Sequence, residues 1–211
     1  MRKRPITSDQ VFLNVPYDED FEPLYLAFIA GLSGFGLIPR AVLEIPTSER
    51  RLDRIFGLIA RCGMSFHDLS RVELNRARPP TPRFNMPFEL GLVVALQKKW
   101  LGMRSHQWYV FEAKAYRAVK SLSDLKGTEI FIHGGKPLGV LRRLTNLLIR
   151  RQQQPTVTEL EAVRRDLNKV AASLKKELRI KSLFEPRAFA DLVSAAGKIA
   201  PSHVASLRQL T

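Results

Sequence analysis

The sequence is short of cysteine and of long hydrophobic runs. Cys62 is the only cysteine among 211 residues. One cysteine excludes an internal disulfide framework and is typical of a protein in a reducing compartment, so we expect a cytoplasmic location. No stretch approaches the roughly 18–20 apolar residues that a membrane-spanning helix needs. We therefore expect no membrane partner.

Several ligand-binding motifs are also missing. The glycine-rich stretch "GLSGFG" (31–36) ends a predicted helix and does not follow the first strand, so it is not a dinucleotide fingerprint. No G-x-x-x-x-G-K-[ST] phosphate loop occurs. His67 falls inside a predicted strand and is interpreted as a hydrogen-bonded core histidine. No metal-ligand spacing is found among the four histidines, which are His67, His106, His133 and His203. We predict no metal site.

Positive charge is abundant, and the formal net charge is +14. The excess is densest in residues 137–211, which hold 14 basic and 6 acidic side chains. Such a field attracts anionic nucleotides and polyanions. No aromatic side chains alternate with these charges as a base-stacking surface requires. We interpret most of the excess as solvated helix faces, with weak, non-specific nucleic-acid binding at most.

Short apolar stretches alternate five times with stretches of helical periodicity. Strands are predicted at 11–16, 37–44, 64–70, 107–113 and 129–135. Helices are predicted at 22–36, 47–63, 87–100, 115–127 and 138–154. Because alternation favours right-handed crossovers in a parallel sheet, we predict a flavodoxin-like three-layer α/β fold with strand order 2-1-3-4-5. Pro39 marks the second strand as an edge candidate.

Further helices are predicted after Pro155. Residues 156–178 combine a capping signal with helical periodicity, and another helix is predicted within 186–199. We therefore predict an α/β domain over 1–154 and a basic helical extension over 155–211. An apolar stripe is expected to pack this extension on the core; it consists of Leu160, Val163, Leu167, Val170 and Leu174.

Ligands of such a sheet bind beyond the carboxyl ends of the strands, where the strand order reverses. Here that point lies between strands one and three, and three segments (16–23, 67–71 and 83–91) should meet there. They are rich in side chains that hydrogen-bond sugars and phosphates. The candidate substrate-binding residues are Asn14, Pro16, Tyr17, Asp18, Asp68, Ser70, Arg71, Arg83, Asn85 and Phe88.

Glu89 stands between two large apolar residues in "RFNMPFELG" (83–91), in the first turn of a predicted helix. A carboxylate there gains about 0.3–1 kcal/mol from the helix dipole, which is one interpretation. The other is a carboxylate that stabilises or attacks an oxocarbenium-like sugar carbon. Partial burial would raise its pKa while the helix end keeps it ionised. The residues alone leave both interpretations open.

Three segments resemble the superfamily of nucleoside 2-deoxyribosyltransferases and TIR-like domains. They are the strand "VFLNVPYD", the strand ending "HDLS" and the helix that begins at "NMPFELG". The resemblance covers roughly residues 11–135 and extends to bacterial TIR-like proteins associated with nucleotide-signalling defence. It implies that Glu89 is the catalytic glutamate, that Gly91 is the glycine two residues on, and that Asp68 ends the third strand. Tyr17 and Asp18 then occupy the substrate loop.

The function implied by this resemblance is cleavage of a nucleotide N-glycosidic bond, of the NAD⁺ glycohydrolase type. NAD⁺ would be a substrate, and no cofactor is expected. The protein is expected to form a homo-oligomer. The resemblance implies that Asp68 and Asn85 bind the ribose hydroxyls and that Tyr17 or Phe88 stacks on the base. The pyrophosphate would face two arginines, Arg71 and Arg83. The alternatives are a nucleoside deoxyribosyltransferase or hydrolase, and a non-enzymatic nucleotide-sensing or assembly module.

Overall fold

The protein contains one five-stranded sheet. The structure is a computed structural model that describes residues 9–44, 50–71, 82–97 and 106–205. The strands are β1 (Gln10–Asn14), β2 (Ile38–Arg40), β3 (Met64–Asp68), β4 (Gln107–Glu112) and β5 (Ile130–Ile132). They are parallel and follow the order β2-β1-β3-β4-β5. The predicted flavodoxin-like α/β fold is confirmed, and β2 is an edge strand as Pro39 indicated.

Seven helices alternate with or follow these strands in the described ranges. They are α1 (Glu22–Gly34), α2 (Arg51–Arg61), α3 (Asn85–Ala95), α4 (Arg117–Ser121), α5 (Pro137–Leu147), α6 (Val157–Glu177) and α7 (Pro186–His203). The chain divides into two compact units. The first comprises Met1–Pro16 and Arg40–Gly134, and the second comprises Tyr17–Pro39 and Gly135–Thr211. The predicted domain boundary after residue 154 stays a prediction.

The core of the first unit is formed where α2, α3 and α4 pack on the strands. One apolar cluster joins α2 and α3 to β1, with Phe12, Ile59 and Val93 at its centre. A second joins α3 and α4 to β4, with Leu90 and Val110 buried in it. Cys62 follows the last residue of α2 and is a buried free thiol. These clusters fix the positions of α2 and α3, the helices that form the candidate site.

The second unit is a helical layer in which α1 packs against α5, α6 and α7. Two glycines of α1 permit this close approach. A Cβ added at Gly31 would lie 2.5 Å from Leu144 Cδ1, and one added at Gly34 would lie 2.2 Å from Leu160 Cδ2. Either distance is shorter than carbon–carbon contact allows, so the helices meet at this separation because those positions lack side chains.

The helix α6 forms as its sequence signals predicted. Thr156 and Glu159 form a reciprocal capping box at its start. Four residues of the predicted stripe are buried; they are Leu160, Val163, Leu167 and Leu174. A polar contact adds to the apolar packing, since Lys175 Nζ lies 2.6 Å from the Glu22 carboxylate at the start of α1. The stripe is therefore covered within the second unit.

Several predicted elements are shorter than the sequence suggested, and the structure gives a reason for two of them. The strand predicted over 37–44 ends at Arg40 and gives way to a 3₁₀ turn over Val42–Glu44. The Glu44 carboxylate accepts from Arg40 Nε at 2.8 Å and from Ala41 N at 3.1 Å, which holds this bend. The helix predicted over 115–127 forms only as Arg117–Ser121; it cannot begin before Arg117 because Tyr116 has a left-handed backbone conformation (φ +64°).

Candidate functional site

Glu89 lies in the second turn of α3, so its predicted place in the first turn is wrong. The helix begins at Asn85, and Pro87 is its third residue. Proline is tolerated throughout the first helical turn, where its missing N–H has no partner to lose, and it therefore marks the start of a helix only approximately. Dipole stabilisation falls off within the first turn. The helix-end interpretation of Glu89 accordingly loses its basis.

The carboxylate of Glu89 is buried in apolar surroundings. Only 7% of the residue is exposed. Burial raises the pKa of Glu89 to about 7 from an ordinary value of 4.5, and the charge of Arg51 opposes this rise. Within the described ranges, no hydrogen bond or ion pair reaches the carboxylate. A buried carboxyl group without partners is costly, and such groups are concentrated at functional sites.

Glu89 borders a pocket of about 300 Å³ between the first two turns of α2 and the first two turns of α3. From α3 come Asn85, Phe88 and Glu89, all three predicted from the sequence as site residues. The wall formed by α2 was not predicted; it consists of Arg51, Leu52 and Ile55. Phe88 is 56% exposed, which leaves its ring free to stack on a planar ligand.

Arg51 could have been noticed in the sequence. It is the first residue of α2, next to Arg50. Positive charge in the first turn of a helix opposes the helix dipole. A residue that breaks a local rule in this way often does so for function. Leu52 and Ile55 gave no separate signal, because they also fit the apolar face that α2 packs on the core.

The pocket lies at the carboxyl edge of the sheet. Asn14 is the last residue of β1, and its side-chain amide donates to the backbone oxygen of Met86, in the first turn of α3, at 2.9 Å. The start of α3 is therefore held directly at the end of β1. Asn14 was predicted to bind substrate; the structure places its amide under α3, where it orients the helix that carries Glu89.

A buried chain of hydrogen bonds continues from Asn14 across the sheet. The Asn14 amide nitrogen contacts His67 Nδ1 at 2.9 Å, and His67 Nε2 contacts Ser65 Oγ at 2.9 Å. Ser65 Oγ in turn contacts His106 Nε2 at 3.1 Å, and His106 Nδ1 contacts the Cys62 carbonyl at 2.9 Å. The interpretation of His67 as a hydrogen-bonded core histidine is confirmed.

The two ends of this chain, taken with neutral imidazole rings, determine the direction of every bond. A carbonyl only accepts, so His106 Nδ1 carries the proton and its Nε2 accepts from Ser65. Ser65 Oγ then accepts from His67 Nε2–H, and His67 Nδ1 accepts from the Asn14 amide. Both rings must be neutral in this arrangement. Burial favours these neutral rings, because burial lowers the pKa of His67 to about 3 and also lowers the pKa of His106.

Asp68 and Ser70 form a second buried cluster. Asp68 Oδ1 accepts from Ser70 N at 2.9 Å, and Asp68 Oδ2 lies 3.0 Å from His133 Nε2. Ser70 Oγ lies 3.2 Å from the same nitrogen. Arg117 donates to the Ser70 carbonyl at 2.9 Å and pairs with Glu112. The cluster ties together the carboxyl ends of β3, β4 and β5. Asp68 and Ser70 do not line the pocket, and their role in substrate binding stays a prediction.

The other predicted binding residues also lie outside the pocket wall. Arg83 N donates to the Arg71 carbonyl at 3.3 Å, so a hydrogen bond joins the residues on either side of the proline-rich loop "VELNRARPPT" (72–81). The loop residues 72–81 lie outside the described residues. Pro16 is buried and belongs to the first unit. Tyr17 and Asp18 belong to the second unit, in which the Tyr17 ring packs against Phe184 at 5.3 Å between centroids.

No match was found. This chain matches no protein-family model, no curated protein and no solved structure in the comparisons made. The chemistry of the site therefore follows from its own side chains.

Among the described residues, no cluster of three or more His, Cys, Asp or Glu side chains could hold a metal ion. No helix in the described ranges is long and apolar enough to span a bilayer.

The pocket combines one carboxyl group and one guanidinium group that do not neutralise each other. Neither Glu89 nor Arg51 forms an ion pair within the part of the chain that the structure describes. The carboxylate can stabilise or capture a positive centre, and the guanidinium can bind an anionic group. With Phe88 as a stacking surface, the arrangement suits a small ligand that has a planar ring and charges of both signs.

Proposed function

We propose that this protein cleaves the N-glycosidic bond of a nucleotide such as NAD⁺, with Glu89 facing the sugar carbon. One observation carries the proposal: Glu89 is buried, has no hydrogen-bond partner among the described residues, and borders a ligand-sized pocket. The place of Glu89 beside the predicted switch point, and the resemblance of "NMPFELG" to the TIR-like and deoxyribosyltransferase glutamate segment, add support.

The reaction divides into departure of the base and capture of the sugar. The bond between the ribose carbon C1′ and the nicotinamide nitrogen breaks, and its electron pair returns to the ring, which leaves as neutral nicotinamide. The sugar carbon becomes oxocarbenium-like and faces the Glu89 carboxylate. Water then forms the new C1′–O bond and loses one proton to solvent. Because the pyridinium ring leaves uncharged, no protonation of the base is required.

The apolar surroundings of Glu89 favour this role. Electrostatic interactions strengthen where water is excluded, so an ionised Glu89 would stabilise a developing cation far more than an exposed carboxylate would. Among the described residues, no hydrogen bond shares its charge. The pKa of about 7 leaves a substantial ionised fraction at neutral pH. Phe88, exposed at the pocket wall, would hold the departing ring by stacking.

Release of nicotinamide from NAD⁺ by the wild-type protein and by Glu89→Gln tests this proposal. Glutamine keeps the shape but removes the charge, so we expect turnover to fall about 10²- to 10³-fold, roughly 3–4 kcal/mol of lost stabilisation. Glu129→Gln, which removes an exposed carboxylate of the same unit, should leave turnover unchanged. The assay should include high protein concentrations, since the proposal includes a homo-oligomer. Equal rates for wild type and Glu89→Gln would overturn the mechanism.

The pH profile separates cleavage of NAD⁺ from the alternatives. If the ionised carboxylate acts, the rate should rise with pH through about 7, where Glu89 loses its proton. A rate that falls through the same range would mean that protonated Glu89 donates to the leaving base, as a nucleoside hydrolase or transferase requires. Tight NAD⁺ binding without turnover would favour a sensing or assembly module.

A further inference from the structure

Arg51 is a charged residue of the pocket wall for which the proposed cleavage gives no role. Its side chain is exposed at the first position of α2 and borders the same pocket as Glu89. Within ranges 9–44, 50–71, 82–97 and 106–205, the guanidinium has no hydrogen bond and no ion pair. An arginine beside a carboxylate of opposite charge would ordinarily pair with it. Here both groups stay open to the pocket.

The position of Arg51 favours binding of an anion. The N–H groups of a helix's first turn point outward and the dipole adds positive potential there, so the guanidinium and the start of α2 attract the same kind of group. Guanidinium binds phosphate with two parallel hydrogen bonds. Glu89, buried at the opposite wall, would repel a purely anionic ligand. A ligand that satisfies both walls carries a cationic ring or sugar carbon at one end and a phosphate at the other.

The volume of the pocket limits the size of that ligand. Small-molecule sites occupy roughly 300–1,000 Å³, and this pocket, at about 300 Å³, is at the lower end of that range. It accommodates a mononucleotide more readily than a whole dinucleotide. In NAD⁺, the part that contains the scissile bond is the nicotinamide mononucleotide half, which carries its own 5′-phosphate.

We propose that Arg51 binds the 5′-phosphate of the substrate, so that the site selects 5′-phosphorylated pyridinium ribosides over the corresponding free ribosides. This inference rests on the proposed function, because Glu89 fixes which end of the ligand faces α3. Arg51 on α2 and Glu89 on α3 then hold the phosphate and the reacting carbon from opposite sides. Arg51 thereby determines substrate class, while Glu89 acts on the bond.

Two substrates that differ only in the phosphate provide the test. Nicotinamide mononucleotide and nicotinamide riboside share the ring, the sugar and the scissile bond. Loss of a charged hydrogen-bonded contact typically corresponds to about a 10- to 100-fold effect. Because Arg51 also lowers the pKa of Glu89, its loss affects both substrates to the same extent through that carboxylate. We therefore expect Arg51→Gln to lower kcat/KM for the mononucleotide by this factor relative to the value for the riboside. Arg51→Lys should recover part of the loss, because lysine supplies the charge but not the paired donors.

Arg50→Gln is the matched control, since it removes an equally exposed neighbouring arginine that does not border the pocket. It should affect neither substrate. Equal losses on both substrates with Arg51→Gln, or no loss on either, would refute phosphate recognition by Arg51. Because Arg51 is exposed, thermal unfolding of the variant should match wild type. A lower melting temperature together with equal losses would assign Arg51 a structural role and would also refute the proposal.

Calorimetric titration of the Glu89→Gln protein and of the Glu89→Gln/Arg51→Gln protein with the same two ligands separates this inference from the proposed function. If binding depends on the phosphate and on Arg51 but the wild-type protein cleaves neither ligand, phosphate recognition stands and the cleavage proposal fails. If cleavage depends on Glu89 while Arg51→Gln binds and cleaves both ligands as wild type does, the cleavage proposal stands and phosphate recognition fails. Absence of both binding and turnover overturns both.

Discussion

Burial of Glu89 should make the wild-type protein lose stability as the pH rises. Its pKa is about 7 in the folded protein against an ordinary value of 4.5, so the folded state holds the proton more tightly. Below about pH 4.5 the group is protonated in both states and stability is unaffected. Above about pH 7 folding must retain a buried charge. At roughly 1.4 kcal/mol per pKa unit, this shift corresponds to about 3 kcal/mol.

The substitution Glu89→Gln removes the titrating group and should remove this loss. We expect the variant to be more stable than wild type by up to about 3 kcal/mol at pH 8 and by less than about 0.5 kcal/mol at pH 4.5. Urea unfolding at a series of pH values measures the difference, and Glu129→Gln controls for loss of one negative charge. A difference between wild type and Glu89→Gln that did not change with pH would refute the burial argument. Together with the turnover assay, this experiment asks whether one side chain lowers stability and supports activity.

Four further predictions concern the scaffold. Gly34→Ala should destabilise the protein by about 1–3 kcal/mol in chemical unfolding, because its Cβ would lie 2.2 Å from a leucine of α6. Gly197→Ala in α7, where nothing lies within 4 Å, should instead stabilise by about 0.5–1 kcal/mol. Ser65→Ala should cost about 1–3 kcal/mol, because one nitrogen of each of two buried imidazoles loses its partner, and nitrogen NMR shifts should report altered tautomers. Thr156→Ala should lower stability by about 0.5–2 kcal/mol through loss of the capping box, measured as a lower melting temperature against the exposed control Thr158→Ala.

The strand order could be predicted from the sequence because its signals are local. Apolar stretches of strand length alternate with helical periodicity, and the connection rules then leave few topologies. Element ends were less accurate wherever side chains decide them. The Glu44 carboxylate stops the second strand, and the left-handed Tyr116 delays a helix; neither interaction is visible in periodicity. The capping box of α6 was found because both of its residues lie within one turn.

The candidate site was only partly predictable because it combines residues distant in sequence. Asn85, Phe88 and Glu89 belong to one segment, and a single motif identified them together. Arg51 lies on another helix, and its proximity to Glu89 depends on the packing of α2 against α3. Asp68 has the composition of a binding residue, but its carboxylate contacts His133, more than sixty residues away. Sequence composition indicates which side chains can bind a ligand; tertiary contacts decide which of them face the pocket.

The hydrogen-bond chain under α3 restricts how this sequence can change. Ser65, His67 and His106 each accept from one neighbour and donate to the next. Reversing the His67 tautomer would therefore place its Nδ1–H against the Asn14 amide donor and would leave the Ser65 hydroxyl between two acceptor nitrogens. Single substitutions at Asn14, Ser65, His67 and His106 should therefore be strongly non-additive, with double variants less costly than the sum of their parts. In related sequences these four positions should vary as a set: a wholly apolar replacement is tolerable, whereas a half-polar mixture is not.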